Sequence, residues 1–177
     1  TWLAIPNLVQ DAEIVDFIDS ENTIENDKQI INKTYEYLIQ ENINSQFIFS
    51  YLNSIDEYGH KYGFSLQSNE YIQSIEIIDS CLKNLIEKAK QDYWDIIITT
   101  DHGGCKYNDL PTTYQKDFKS LDNVQSQLEK KSIGVHGLDI PQHRRAFQLY
   151  YGDKYKAKEI ISPLLSTDIY NNILSIF

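Results

Sequence analysis

Three short stretches carry side chains suited to holding a metal ion. Residues 56–60 read Asp-Glu-Tyr-Gly-His, residues 101–104 read Asp-His-Gly-Gly, and residues 135–137 read Val-His-Gly. Together they hold Asp56, His60, Asp101, His102 and His136, which include three of the four histidines in the chain. Carboxylate oxygen and neutral imidazole nitrogen are ordinary ligands of zinc and of other borderline divalent ions. Each motif alone has a plainer reading. Asp56 can cap a turn, His60 can lie on the surface, and an Asp-His pair often closes a loop at a strand end. The concurrence of the three in order, each beside a predicted strand, is what favours a shared site.

The elements that would position them follow from the hydrophobic pattern. Residues 94–100, WDIIITT, are a short apolar and β-branched run ending at Asp101, the signature of a buried strand. Residues 46–52, QFIFSYL, read as a second strand, followed by a loop over 53–65 that contains Asp56 and His60. Between the strands lies a helix over 68–91. Tyr71, Ile72, Ile75, Ile78, Leu82, Leu85, Ile86 and Ala89 form its apolar stripe, and Ser68 is placed to cap it. Strand, helix and strand in this order describe a right-handed βαβ crossover. The expected fold class is therefore α/β with a largely parallel sheet. Ligands in such folds sit outside the carboxyl ends of the strands, where these motifs fall. Further elements are expected as a helix over 28–41, a short helix over 121–131, a strand over 145–151 and a terminal helix over 167–177 capped near Thr167 or Asp168. Residues 1–27 hold short apolar clusters without a firm boundary.

Composition narrows the function classes. With 41% apolar and 12% aromatic residues, the 177-residue chain can build a core. A net charge of −10 leaves no basic face to displace phosphate counterions, which argues against binding a nucleic-acid polymer. A small anionic substrate remains compatible, since local cations can hold it. No apolar run reaches the roughly 18 residues of a membrane-spanning helix. Cys81 and Cys105 are not expected to pair. The chain begins at Thr1 without a basic leader and has no methionine, so it is expected to be a piece of a longer protein.

The stretch SYLNSIDEYGHKYG, a long helix, IIITTDHGG, then HG and a strand ending in Gly152 resembles the type I phosphodiesterase/nucleotide pyrophosphatase family of the alkaline phosphatase superfamily. The likeness runs from about Phe47 to the C-terminus. It implies an α/β/α sandwich with a largely parallel sheet, of which the chain is the C-terminal part as one domain over 1–177. It also implies two divalent metal ions, zinc by preference. Asp56, His60 and His136 resemble the ligands of one, and Asp101 and His102 resemble two ligands of the other. His143 is the rival to His136; His136 is preferred because the family places HG some ten residues before the strand that ends in glycine.

The resemblance implies hydrolysis of a phosphodiester or nucleotide pyrophosphate bond. A Thr or Ser hydroxyl made acidic by one metal attacks phosphorus in line, and water then hydrolyses the phospho-enzyme. This chain departs from the pattern at that point. Its residues before the 56–60 motif show no apolar strand followed by Asp and a helix-capping Thr or Ser, so the nucleophile is expected outside it. Thr99 and Thr100 are not substitutes. Tyr58, Tyr62, Phe64 and Tyr107 are open candidates for stacking a substrate base. Family members often work outside the cytoplasm, which the resemblance alone suggests here. Other readings are a superfamily phosphomonoesterase, phosphonate hydrolase or phosphotransferase, or a non-catalytic metal-binding remnant.

Overall fold

The computed structural model describes residues 22–40, 47–119, 133–152 and 155. The helices expected over 121–131 and 167–177, and the apolar clusters before residue 22, lie outside them.

Helix α1 (Thr23–Leu38) begins earlier than the apolar spacing suggests, because Asn22 takes the N-cap position and its side chain accepts the Glu25 N–H. Ile31 and Leu38 are buried on one face, together with Asp27. Helix α2 (Ser54–Tyr62) occupies the segment expected to be a loop. Its start is secured from a distance. The Asp27 carboxylate accepts the backbone N–H groups of Asn53 (3.0 Å) and Ser54 (2.8 Å) and the Ser54 hydroxyl. A carboxylate there satisfies the free N–H groups of the first turn and opposes the positive end of the helix dipole. Gly63, with φ of 96°, closes α2 by returning its N–H to Gly59 O.

Helix α3 (Asn69–Gln91) matches the expected stripe, with Ile78 and Ala89 buried and the other stripe residues half-buried. Ser68 sits at its N-cap, though its hydroxyl makes no capping bond. At the other end Tyr93 takes the left-handed conformation (φ 61°), and Trp94 N–H returns to Ala89 O. Helices α1 and α3 pack on each other, and α2 packs on both.

The sheet departs from expectation. Strand β1 (Ile96–Thr99) forms as the sequence predicts, but it pairs antiparallel with β4 (Gln148–Tyr151), Ile96 opposite Tyr151 and Thr99 opposite Gln148. Strand β2 (Cys105–Lys106) pairs antiparallel with β3 (Gly134–Val135). Residues 47–53 form no strand, and Phe47 and Phe49 are exposed. A β-rich segment becomes a strand only when a ladder partner satisfies its backbone, and among the described residues β1 pairs with β4 and not with residues 47–53. The architecture is thus mixed α/β with two small antiparallel sheets, and the largely parallel sheet expected from the βαβ pattern is not seen among the described residues. A 3₁₀ turn (Tyr107–Asp109), helix α4 (Thr112–Lys119) and the short helix α5 (Pro141–Arg144) complete the order. Leu110, Val135 and Ile140 form a core beneath β2 and β3. No helix among the described residues is long and apolar enough to cross a membrane.

Candidate metal centre

Helix α2 explains why residues 56 and 60 form a motif. Four apart on one helix, Asp56 and His60 share a face, and the carboxylate Oδ2 lies 3.4 Å from His60 Nε2. The loop after β1 brings His102, whose Nε2 lies 3.8 Å from Asp56 Oδ1. The loop after β3 brings His136, whose Nε2 lies 3.6 Å from the same oxygen and 3.0 Å from His60 Nε2. Asp101 is at the rim, 3.6 Å from His102 Nε2. All five residues expected from the sequence thus lie in one cluster. Donor atoms of Asp56, His102 and His136 fall within 4.8 Å of one another, so His102, expected beside Asp101, also faces Asp56. The His102 and His136 rings stack with centroids 3.7 Å apart.

The remaining ring nitrogens show how the imidazoles are aimed. His60 Nδ1 donates to Gly134 O, and His102 Nδ1 donates to Gly103 O, each over 2.9 Å. A neutral imidazole that donates through Nδ1 presents a lone pair at Nε2, the form a metal ligand needs. Two imidazole nitrogens 3.0 Å apart either share a proton in an N–H···N hydrogen bond or turn both lone pairs toward one metal ion. Asp56 Oδ1 points the same way, being buried with no hydrogen-bond partner. A divalent ion would satisfy it, and the donor set of carboxylate and imidazole fits zinc or a similar ion.

Electrostatics differ from residue to residue. Burial pushes the Asp56 carboxyl up, but the hydrogen bond from His60 and the surrounding imidazoles outweigh it, and the group ends below its ordinary value. Burial pulls His60 down, yet the Asp56 and Gly134 hydrogen bonds leave it raised. His136 is lowered to about 4 by burial and by His102, so it stays neutral at physiological pH.

Packing sets the spacing of the ligand segments. Ile133 N–H donates to His60 O, tying β3 to the end of α2. The Phe64 ring stands edge-on to His60 and His136, and a Cβ added to Gly59, Gly104 or Gly134 would run into it. Phe64 is therefore a packing ring within the site, whereas Tyr58 and Tyr62 contact each other. Thr99 and Thr100 donate their hydroxyls to Phe147 O and His102 O. His143 is buried against Cys105, away from Asp56, and both cysteines are free thiols. Two supports escaped the sequence reading, the Asp27 anchor and the Cys105–His143 pair. Neither has a local signal, since each joins segments 26 or more residues apart.

An aspartate and three imidazoles converging from α2 and two strand-end loops define an α/β protein with a candidate metal site. The chain belongs to the type I phosphodiesterase/nucleotide pyrophosphatase family, whose model matches residues 6–158. It is 28% identical over 97 residues to the ectonucleotide pyrophosphatase/phosphodiesterase 1 of Saccharomyces cerevisiae, covering 49% of this chain and 13% of that protein. It is 41% identical over 48 residues to the 2,3-bisphosphoglycerate-independent phosphoglycerate mutase of Campylobacter jejuni, covering 27% of this chain and 10% of that protein. The chain thus matches only a small part of each relative's length. No solved structure matches it.

Proposed function

We propose that this chain supplies the metal-holding part of a hydrolase acting on a phosphodiester or nucleotide pyrophosphate bond. The observation that carries the reading is the convergence of Asp56, His60, His102 and His136 around a buried carboxylate oxygen with no hydrogen-bond partner, in a member of this family. Two divalent ions are assigned, zinc by donor chemistry. Asp56, His60 and His136 would hold one, and Asp101 and His102 would contribute to the other. When bound, such ions supply Lewis-acid stabilisation of charge on the phosphoryl oxygens.

The chain's own residues do the positioning. Asp56 lies between the imidazoles and orders them. The Gly134 and Gly103 carbonyls fix the His60 and His102 rings, and His136 is kept neutral by its surroundings. Thr99 and Thr100 spend their hydroxyls on backbone carbonyls, so the attacking Thr or Ser hydroxyl is assigned to a segment other than those described. The complete catalytic domain would then take the alkaline phosphatase-like sandwich, with a small phosphate ester or nucleotide as substrate.

Calorimetric titration of Zn²⁺ into the chain tests the metal assignment, and uptake lost in Asp56→Ala is the expected result. A folded chain that takes up no divalent ion overturns it. Turnover of a nitrophenyl phosphodiester by the intact parent protein, abolished by chelator, tests the activity. Metal uptake without turnover by that protein would favour a metal-binding remnant instead.

A further inference from the structure

His143 is buried, while His60, His102 and His136 are only partly covered. Its ring and backbone make three ties. Leu138 N–H donates to His143 Nδ1 over 3.1 Å, which places the ring proton on Nε2. That N–H points at Cys105 Sγ, 3.1 Å away. The His143 carbonyl accepts the Gly103 N–H over 2.9 Å. Helix α5 also lies so close to this loop that a Cβ on Gly103 would strike the carbonyl oxygens of Gln142 and Arg145. The tied atoms lie just beyond the ligands, since Gly103 and Cys105 follow His102, and Leu138 lies two residues beyond His136.

We propose that His143 is a positioning residue that locks the His102 loop to the His136 loop, so that both imidazoles face Asp56. Its place in the chain suits that task and no ligand role, since both ring nitrogens are already committed. The ring remains neutral because burial and the neighbouring His102 lower its proton affinity. The partner thiol is pushed up to about 11 by burial and by Asp109, so Cys105 stays protonated and serves as a weak acceptor in place of a nucleophile. Two glycine-containing loops are thereby tied together by one side chain. The proposal rests on the metal reading only for the use made of the two imidazoles, and the arrangement of the loops stands apart from it.

The test compares the 177-residue chain with His143→Leu, which removes both ring ties, and with His143→Gln, whose amide offers a donor and an acceptor. In the metal-free proteins, long-range proton–nitrogen NMR spectra report the tautomer and setting of each imidazole. His143→Leu should shift the His102 and His136 signals and mix their tautomers, and His143→Gln should restore much of the wild-type pattern. Co²⁺ affinity should fall about 10–100-fold in His143→Leu, the usual effect of losing a group that orients ligands, with an altered Co²⁺ absorption spectrum. Unchanged imidazole signals in a folded His143→Leu overturn the proposal, as does unchanged Co²⁺ affinity in a chain that binds the ion. Should wild-type chain take up no Co²⁺, the metal reading falls and the imidazole signals still decide the positioning role. If His143→Leu does not fold, Cys105→Val carries the comparison, with a shift of the His102 signals expected and their constancy counting against the proposal.

Discussion

Asp56 and Asp101 are both aspartates beside His102, and the protein treats them differently. Asp56 sits on a helix whose first turn is bonded to a buried carboxylate, its side chain is 30% exposed, and three imidazoles face it. Asp101 sits just past the end of β1, its side chain is 60% exposed, and among the described residues its ion-pair contact is with His102. The first is held by the fold before any ion arrives. The second is left to solvent, and a carboxylate that exposed contributes little until further ligands join it. The contrast divides the centre into a preorganised half and an unfinished half, and it can be tested from either side.

The largest effect is expected from Asp56→Ala. It removes the carboxylate shared by all three imidazoles, and divalent affinity measured by calorimetry should fall by more than the roughly 10–100-fold typical of losing a supporting group. Next comes the anchor of the preorganised half. Asp27→Asn replaces one acceptor oxygen with an amide donor facing buried N–H groups, and the urea midpoint should drop by the equivalent of about 1–3 kcal/mol. If stability is unchanged, the start of α2 does not depend on Asp27.

Acidification probes the same half more gently. His136 is lowered to about 4 in the folded chain from an ordinary 6.5, so the unfolded chain binds that proton first as pH falls. Its contribution to stability is present above 6.5 and is lost as pH falls towards 4. His60 is raised, so its contribution is full below 6.5 and is lost as pH rises through its folded value. Urea midpoints measured against pH should therefore fall more steeply between 6.5 and 4 in the metal-free wild type than in His136→Gln. Matching slopes would show that His136 is not held neutral. The smallest effect belongs to Asp101→Asn, which should leave the affinity for the first divalent ion unchanged by the same calorimetry. A loss as large as that of Asp56→Ala would erase the distinction between the two halves.

The parts of the fold visible in the sequence are those encoded locally. The long stripe from Tyr71 to Ala89 has a helical period, and Ile96–Ile98 are three β-branched residues in a row, so α3 and β1 could be placed without knowing their neighbours. Helix α2 was hidden because its sequence includes Gly59 and polar residues, and the group that starts it, Asp27, lies 26 residues before Asn53. The segment at 47–52 misled for the converse reason, since β propensity names a candidate strand and cannot supply its partner. The candidate cluster was more legible than the scaffold. Motif order singles out Asp56, His60, Asp101, His102 and His136, and their side chains lie near one another in the structure, while their roles as ligands are part of the proposal. Their supports depend on contacts across the chain, and no local pattern announces His143 against Cys105.

Phe64 and the three glycines around it also constrain how this sequence can change. Gly59 adjoins His60, Gly104 lies two residues after His102, and Gly134 lies two before His136, so one ring touches the neighbourhood of every ligand-bearing segment. Exchange of any one glycine for a larger residue meets the ring, and at Gly134 it also meets the Gly59 carbonyl. An alanine at Gly104 becomes acceptable only in a background where residue 64 has already been made smaller. At Gly104 the order of substitutions is therefore ring first and glycine second, whereas at Gly134 the Gly59 carbonyl keeps the position closed even to a smaller ring.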